Sequence, residues 1–204
     1  MRRRALAGVL LALVASSCGM GARIEGLPAY DATSPPGCQV DGSWPLNILL
    51  MQSVPEAAWV PCVRDVPQGW FYAGIEVERG SALMTFAAGG AGGDNFRLLV
   101  RFEPSCDAAG ARPSHREPPS SDAAGAIRLL YRRPGSELGY AYEELAVFPG
   151  GCVRQLYTAE PTGIGIVGEA ARIVSYFDRV AAAADIEARY GVRICGVGVP
   201  VCAG

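Results

Sequence analysis

The sequence predicts an α+β domain, stapled by disulfides, in which an antiparallel β-meander of about five to six strands packs against one long C-terminal helix. Short runs of alternating apolar and polar residues follow one another between residues 70 and 159, separated by turns rich in Gly and Pro. A helical period follows over 166–190. Six of the seven cysteines lie beyond residue 18, and an even number suits disulfide pairing.

The predicted sheet begins with a hairpin. Residues 70–87 form two apolar runs around Arg79-Gly80, where a turn is expected, and Glu76 and Glu78 fall on one face of the first run. Residues 95–103 alternate most regularly in the chain and predict the next strand. Further strands are predicted at 126–132, 140–148 and 152–159. Because Pro-Gly turns join the later runs, neighbouring strands should be antiparallel.

The C-terminal helix is predicted over 166–190 because apolar residues recur there at three- and four-residue spacing. Ile173, Phe177 and Ala181 belong to this apolar stripe, which should pack against the sheet. Gly191 is expected to end the helix.

The N-terminus has the parts of a bacterial export signal. Three arginines, Arg2 to Arg4, precede an apolar run over 5–15 that is shorter than the about 20 residues needed to span a bilayer. Residues 15–18 resemble a lipobox, the pattern read by lipoprotein signal peptidase, which implies acylation of Cys18 and cleavage after residue 17. The alternative is an ordinary signal peptidase site at the same bond, which would give a secreted protein.

These observations predict a signal peptide at 1–17, a lipid-anchored tether at 18–45 and a single α+β domain at 46–204, held at the outer face of the cell membrane. Loss of the three signal arginines moves the formal net charge from −2 to −5, which argues against a nucleic-acid partner. The chain contains no lysine, which excludes a Schiff-base lysine and a phosphate-binding loop that ends in Gly-Lys-Ser/Thr.

The cysteines beyond residue 18 are the disulfide candidates. They are Cys38, Cys62, Cys106, Cys152, Cys195 and Cys202. No two of them have Cys-x-x-Cys spacing, so disulfides are favoured over a metal site. Disulfides also suit an exported domain.

Two glycine-rich segments invite nucleotide binding. Residues 163–168 spell the glycine fingerprint of a dinucleotide-binding turn, and Asp185 lies about twenty residues further on. Pro161 interrupts the preceding strand and only a short tail follows, so a loop that enters a helix is favoured and no cofactor is expected. Residues 89–93 lack the Lys and Ser/Thr of a phosphate cradle, and a hairpin loop is favoured there.

His115 is the only histidine in the chain. It lies in the polar segment 107–124, which contains three prolines and is expected to be an exposed loop. A general base needs a rigid setting, so a solvated imidazole is favoured over a catalytic role.

Two pairs of carboxylates, Glu76 with Glu78 and Glu143 with Glu144, could serve glycoside hydrolysis if they flanked a sugar. A solubilising, solvent-facing strand is the favoured interpretation for both pairs. Four tyrosines of the predicted sheet could present an aromatic binding surface, although core positions are favoured: Tyr131, Tyr140, Tyr142 and Tyr157.

Four short stretches carry a resemblance to known proteins. They are Val60-Pro61-Cys62-Val63, Pro67-Gln68-Gly69-Trp70, Cys106-Asp107-Ala108-Ala109-Gly110-Ala111 and Phe148-Pro149-Gly150-Gly151-Cys152-Val153. In this order they resemble uncharacterised exported proteins and lipoproteins of high-GC Gram-positive bacteria. The resemblance carries no activity and no ligand. It implies that Cys62, Cys106 and Cys152 lie beside strand ends, and it favours the pairs Cys38–Cys62 and Cys106–Cys152, which leaves Cys195 with Cys202.

The sequence therefore predicts an extracytoplasmic, lipid-anchored, non-catalytic binding or accessory module of the cell envelope. Its expected partners are the membrane and an envelope protein or small ligand. The alternative is an envelope hydrolase that cleaves a glycan or an ester with paired carboxylates. Two carboxylates that converge across a cleft, one of them desolvated, would favour the hydrolase.

Overall fold

The computed structural model describes residues 34–39, 44–89, 95–117, 123, 125–132, 142–158 and 170–194. The helices that lie wholly within these residues are α1 (Trp44–Ser53) and α2 (Arg179–Tyr190). The strands are β1 (Trp59–Val63), β2 (Trp70–Glu78), β3 (Ser81–Gly89), β4 (Asn95–Glu103), β5 (Arg112–Pro113), β6 (Arg128–Arg132), β7 (Tyr142–Phe148), β8 (Gly151–Thr158) and β9 (Val174–Asp178).

The main sheet has seven strands in the order β2-β3-β4-β8-β7-β6-β5, and every neighbouring pair is antiparallel. It consists of two meanders, β2–β4 and β5–β8, which meet where β4 pairs with β8. The antiparallel, β-rich architecture agrees with the sequence prediction. The strand count differs, since seven strands replace the expected five to six and β1 and β9 form a separate pair.

The sheet buries one face because side chains alternate along a strand. This face, called the core face below, carries Ala82, Met84, Phe86 and Ala88 of β3 and Phe96, Leu98, Val100 and Phe102 of β4. The alternation predicted for 95–103 is thus confirmed. The β1–β9 pair and α1 contribute to the same hydrophobic cluster and cover the core face. The opposite side of the sheet is called the outer face.

The single long C-terminal helix predicted over 166–190 is wrong, because it is interrupted at 171–178. Residues 174–178 form strand β9, which pairs with β1 and buries Val174 and Tyr176. A β-branched and aromatic run of this kind gains more from strand pairing than from its local helical period. Helix α2 begins only after Asp178, whose side chain accepts a hydrogen bond from the Ala181 N–H at 2.7 Å.

Gly191 ends α2, as the sequence predicts. Its φ of 67° is left-handed, and its N–H donates to the Glu187 carbonyl at 2.9 Å. No helix within the described residues is long and apolar enough to span a bilayer.

Two disulfides staple the fold. Cys38–Cys62 joins the N-terminal segment 34–39 to β1, with the Cα atoms 5.0 Å apart, and Cys106–Cys152 joins the chain after β4 to β8, with the Cα atoms 5.7 Å apart. These are the two pairings that the family resemblance implies. Cys18, Cys195 and Cys202 lie outside the described residues.

Segment 34–39, which the prediction assigns to the tether, runs parallel to β1. The Val63 N–H donates to the Pro36 carbonyl at 2.7 Å. The Asn47 amide of α1 donates to the Gly37 carbonyl at 3.0 Å. The chain is therefore attached to the domain before α1 begins.

The β7–β8 turn shows why glycine is needed at two positions in succession. Gly150 has a φ of 71°, and a Cβ there would collide with the Glu56 carbonyl. A Cβ on Gly151 would lie 2.8 Å from that of Ala57. This close approach lets the Ala58 N–H donate to the Pro149 carbonyl at 2.9 Å, which fixes the sheet against the chain that enters β1.

Candidate functional site

Strand β7 carries Glu143 and Glu144 and places them on opposite faces of the sheet, because successive side chains alternate. Both are almost completely buried, with 2% and 1% of their surface exposed. The predicted solvent-facing strand is therefore wrong for this pair, since β7 lies between β6 and β8 and is covered on both sides. Glu76 and Glu78 are exposed on the outer face of β2, as predicted.

On the core face, Glu144 is bound by Arg116 from the segment after β5. The Nη1 of Arg116 lies 3.1 Å from Oε1 and 3.0 Å from Oε2 of the carboxylate, and its Nη2 donates to the Ala171 carbonyl at 2.7 Å. Arg116 thus joins the segment after β5 to the turn before β9. Burial raises the pKa of Glu144, and the positive charge of Arg116 opposes that rise.

Gln155 of β8 extends this cluster into the core. Its Nε2 lies 3.5 Å from Oε1 of Glu144 and 3.4 Å from the Tyr176 hydroxyl, and its Oε1 accepts from the Tyr157 hydroxyl at 2.9 Å. Burial raises the pKa values of Tyr157 and Tyr176, so both phenols stay protonated at neutral pH. The tyrosines therefore satisfy buried polar groups and do not supply a base.

The structure brings together three of the four tyrosines singled out in the sequence. The rings of Tyr131 and Tyr142 stack with centroids 6.1 Å apart, and Tyr142 lies 5.7 Å from Tyr157. Tyr131 and Tyr142 are half-buried and Tyr157 is buried, so this row is packing beside Glu144 and not an open aromatic surface. Tyr140 lies outside the described residues.

On the outer face, Glu143 lies between two arginines. Arg132 donates from Nε to one carboxylate oxygen and from Nη2 to the other, the latter at 3.3 Å, and its Nη1 donates to the Ala109 carbonyl at 2.9 Å. The Nε of Arg154 lies 3.3 Å from Oε1 of Glu143, close enough for an ion pair although its N–H is not directed at the carboxylate. The hydrogen bond to Glu143 raises the pKa of Arg132.

The same part of the outer face is closed by the chain that follows β4. The Cys106–Cys152 disulfide and the bond from Arg132 to Ala109 hold this segment over the sheet. Leu130 and Leu145 are consequently buried although they lie on the outer face. Glu143 is therefore part of a second, smaller core, and Arg132 and Arg154 lie at its partly exposed edge.

The arrangement does not match paired-carboxylate chemistry. A glycosidase needs both carboxyl groups beside one bond, and Glu143 and Glu144 are separated by the thickness of the sheet. Each is instead neutralised by arginine, as buried carboxylates require. Within the described part of the chain, no group of three or more His, Cys, Asp and Glu side chains could hold a metal ion.

The remaining sequence candidates do not join either cluster. His115 is exposed, and its neighbour Arg116 makes the buried contact. Asp185 lies on α2 and accepts a hydrogen bond from Arg189 at 2.7 Å. The fingerprint at 163–168 lies outside the described residues, so the expected entry into a helix stays a prediction; Ala170 is helical, and the chain then turns at 171–173 into β9.

Sequence reasoning missed the basic and amide partners of the two carboxylates. They are Arg116, Arg132, Arg154 and Gln155. A signal was present, because Arg154-Gln155 and Glu143-Glu144 both interrupt otherwise apolar strand segments at their centres. Adjacent polar residues in two consecutive strands indicate cross-strand pairs on both faces.

No protein-family model, curated protein or solved structure matches the chain.

Proposed function

We propose that this protein is a non-catalytic binding or accessory module of the cell envelope, held at the outer face of the cell membrane by a lipid on Cys18. One observation carries the proposal. The two buried carboxylates of β7 are each paired with arginine, whereas the outer face of β2–β4 presents exposed charges beside half-buried apolar side chains. Such a surface suits association with a partner and not bond cleavage.

The disulfides support an extracytoplasmic location. Cys38–Cys62 and Cys106–Cys152 are stable where the surroundings are oxidising, as they are outside the cytoplasm. An acylated Cys18 would also leave an even number of cysteines for pairing. Both features agree with the export signal and with the lipobox.

Lipidation is tested by labelling the protein with a fatty acid in an expressing bacterium, with and without globomycin. The proposal predicts labelled protein in the membrane fraction, precursor accumulation in globomycin, and no label on Cys18→Ala. Unlabelled wild type, or label that survives Cys18→Ala, would reject the anchor. Pull-down of the lipidated chain from membranes then identifies an envelope partner.

The envelope hydrolase remains the second candidate because of one observation, the buried carboxylate of Glu144 with its raised pKa. Its test is turnover of glycan and ester substrates by wild type, by Glu144→Gln and by Glu76→Gln. Activity lost in Glu144→Gln and kept in Glu76→Gln would favour the hydrolase. The binding module predicts no turnover by any of the three.

A further inference from the structure

Strand β5 and the residues that follow it, 112–117, run along one edge of the main sheet. This segment is called the strap below, and none of its residues is buried. Its main chain is tied to the sheet by the two-residue pairing of β5 with β6 and by the Ser114 N–H, which donates to the Leu129 carbonyl at 2.9 Å. A segment with so little buried surface is among the first parts of a fold to open.

Arg116 is the side chain through which the strap contacts buried groups of the core face. Its side chain is 36% exposed, whereas that of Glu144 is 2% exposed. The guanidinium bridges two acceptors, because Nη1 contacts both carboxylate oxygens of Glu144 and Nη2 donates to the Ala171 carbonyl. The arginine therefore reaches from the surface into a site whose acceptors are supplied by other parts of the chain.

These acceptors are positioned independently of the strap. Glu144 belongs to β7, between β6 and β8, and its Oε1 lies 3.5 Å from Nε2 of Gln155. Ala171 is buried in the turn before β9, and that turn is fixed by the Arg64 N–H, which donates to the Ile173 carbonyl at 2.9 Å. The carboxylate and the carbonyl should therefore keep their places when the strap leaves the sheet.

The other buried carboxylate does not offer an exchangeable partner. Arg132, which binds Glu143, belongs to strand β6 and is paired on both sides within the sheet. Its cover is held by the Cys106–Cys152 disulfide and by the hydrogen bond from Arg132 to the Ala109 carbonyl. Arg132 cannot leave Glu143 without disruption of the sheet, whereas Arg116 can leave Glu144 with the strap alone.

We propose that Glu144 and the Ala171 carbonyl form a binding site for a guanidinium group, that Arg116 occupies it as an internal ligand, and that an arginine of a partner protein displaces Arg116 and releases the strap. The proposal deepens the proposed function, on which it rests for the partner, and does not depend on the lipid anchor. The chemistry of the ligand follows from the group that the site already holds. A planar guanidinium presents N–H groups to a carboxylate and to a carbonyl at once, which a compact ammonium does less well.

The test compares wild type, Arg116→Ala and Arg116→Ala/Glu144→Gln, each produced as residues 18–204 with Cys18→Ala so that no lipid contributes. The probe is methylguanidinium chloride, which carries the end of an arginine side chain. In Arg116→Ala it should raise the melting temperature in a saturable way, because it fills the vacated site of the folded protein. Methylammonium chloride at the same concentration should raise it much less. The double variant lacks the carboxylate charge and should not respond to either salt.

In wild type the probe must displace Arg116. A strap that is open for at most about 10% of the time lowers the apparent affinity at least about tenfold below that of Arg116→Ala. Displacement should speed hydrogen exchange at the Ser114 amide, while the amides of β7 and β8 keep their protection. This measurement decides the matter even if Arg116→Ala does not fold.

Three results would overturn the proposal. They are no stabilisation of folded Arg116→Ala by the probe, equal stabilisation of the double variant, and unchanged exchange at Ser114 in wild type up to the concentration at which the probe begins to unfold the chain. The anchor is tested separately by labelling, so the failure of either is distinguishable.

Discussion

The two meanders of the main sheet use the same antiparallel pairing and differ in how they are covered. In β2–β4 the core face is buried and the outer face is open, so apolar side chains alternate with half-exposed or charged ones. In β6–β8 both faces are covered, and the carboxylates of β7 are buried on opposite sides. A charged residue in a strand therefore indicates solvent exposure only where one face of the sheet is open.

The covering of β6–β8 comes from loops and not from regular layers. On the outer face the Cys106–Cys152 disulfide holds the segment after β4. On the core face Arg116 holds the segment after β5. Pairs of a buried carboxylate and a partly exposed arginine therefore join loops to the sheet at two sites.

Removal of the Cys106–Cys152 disulfide should have the largest effect. Its partners are 46 residues apart, and the chain-entropy estimate for a loop of this length gives a loss of about 4 kcal/mol in the free energy of unfolding. Denaturant unfolding of Cys106→Ala/Cys152→Ala measures the loss. Hydrogen exchange should also show faster exchange in β6 and β7, because their outer cover is released.

Cys38→Ala/Cys62→Ala is the control for that variant. Its separation of 24 residues predicts a similar loss of about 3.5 kcal/mol. The additional exchange should then appear beside β1 and not in β6 and β7. Equal protection of β6 and β7 in both variants would contradict the account of the outer cover.

Substitution of Arg116 should have the next largest effect. Arg116→Ala leaves the carboxylate of Glu144 buried and unpaired, and we expect a loss of about 3 kcal/mol at neutral pH. The matched change in the β2–β4 meander, Arg101→Ala, removes an exposed arginine and should change the free energy of unfolding by less than about 0.5 kcal/mol. Urea unfolding of both variants gives the comparison, and equal losses would refute it.

The pH dependence of stability should distinguish Glu144 from exposed carboxylates. Burial raises the pKa of Glu144 in the folded state. Its contribution to the free energy of unfolding is therefore greatest below its pKa in the unfolded chain, about 4.3, and is lost as the pH rises through its pKa in the folded protein. The free energy of unfolding of wild type minus that of Glu144→Gln should therefore fall between these two pKa values and level off at higher pH. Glu76→Gln is the control, because it removes an exposed carboxylate. A stability difference between wild type and Glu144→Gln that rises with pH would contradict the raised pKa of Glu144.

The smallest effect on stability is expected at Phe71. Its ring is 56% exposed on the outer face of β2, so Phe71→Ser should change the free energy of unfolding by less than about 0.5 kcal/mol. Thermal unfolding measures this value. A loss of more than about 1 kcal/mol would mean that Phe71 is packed in the folded protein and that the outer face of β2 is not open.

Much of the β2–β4 meander could be predicted from the sequence. The Arg79-Gly80 turn, the alternation over 95–103 and the exposure of Glu76 and Glu78 all follow from local pattern and one buried face. The two disulfides agree with the pairs that the family resemblance implies, Cys38–Cys62 and Cys106–Cys152.

The elements that depend on distant contacts could not be predicted. Strand β9 has a helical apolar period, and only its pairing with β1 makes it a strand. The burial of Glu143 and Glu144 depends on Arg132 and Arg116, which lie 11 and 28 residues away. No local sequence pattern predicts that an arginine in a loop will pair with a carboxylate in a strand, so only the structure identifies the candidate site.

The most direct test measures the free energy of unfolding of Arg116→Ala, Glu144→Gln and Arg116→Ala/Glu144→Gln at neutral pH. The loss in Arg116→Ala comes from a buried carboxylate that has lost its partner, so removal of that charge should recover much of the loss. The double variant is therefore predicted to be more stable than Arg116→Ala alone. A double variant that loses at least the sum of the two single losses would contradict this role of Glu144.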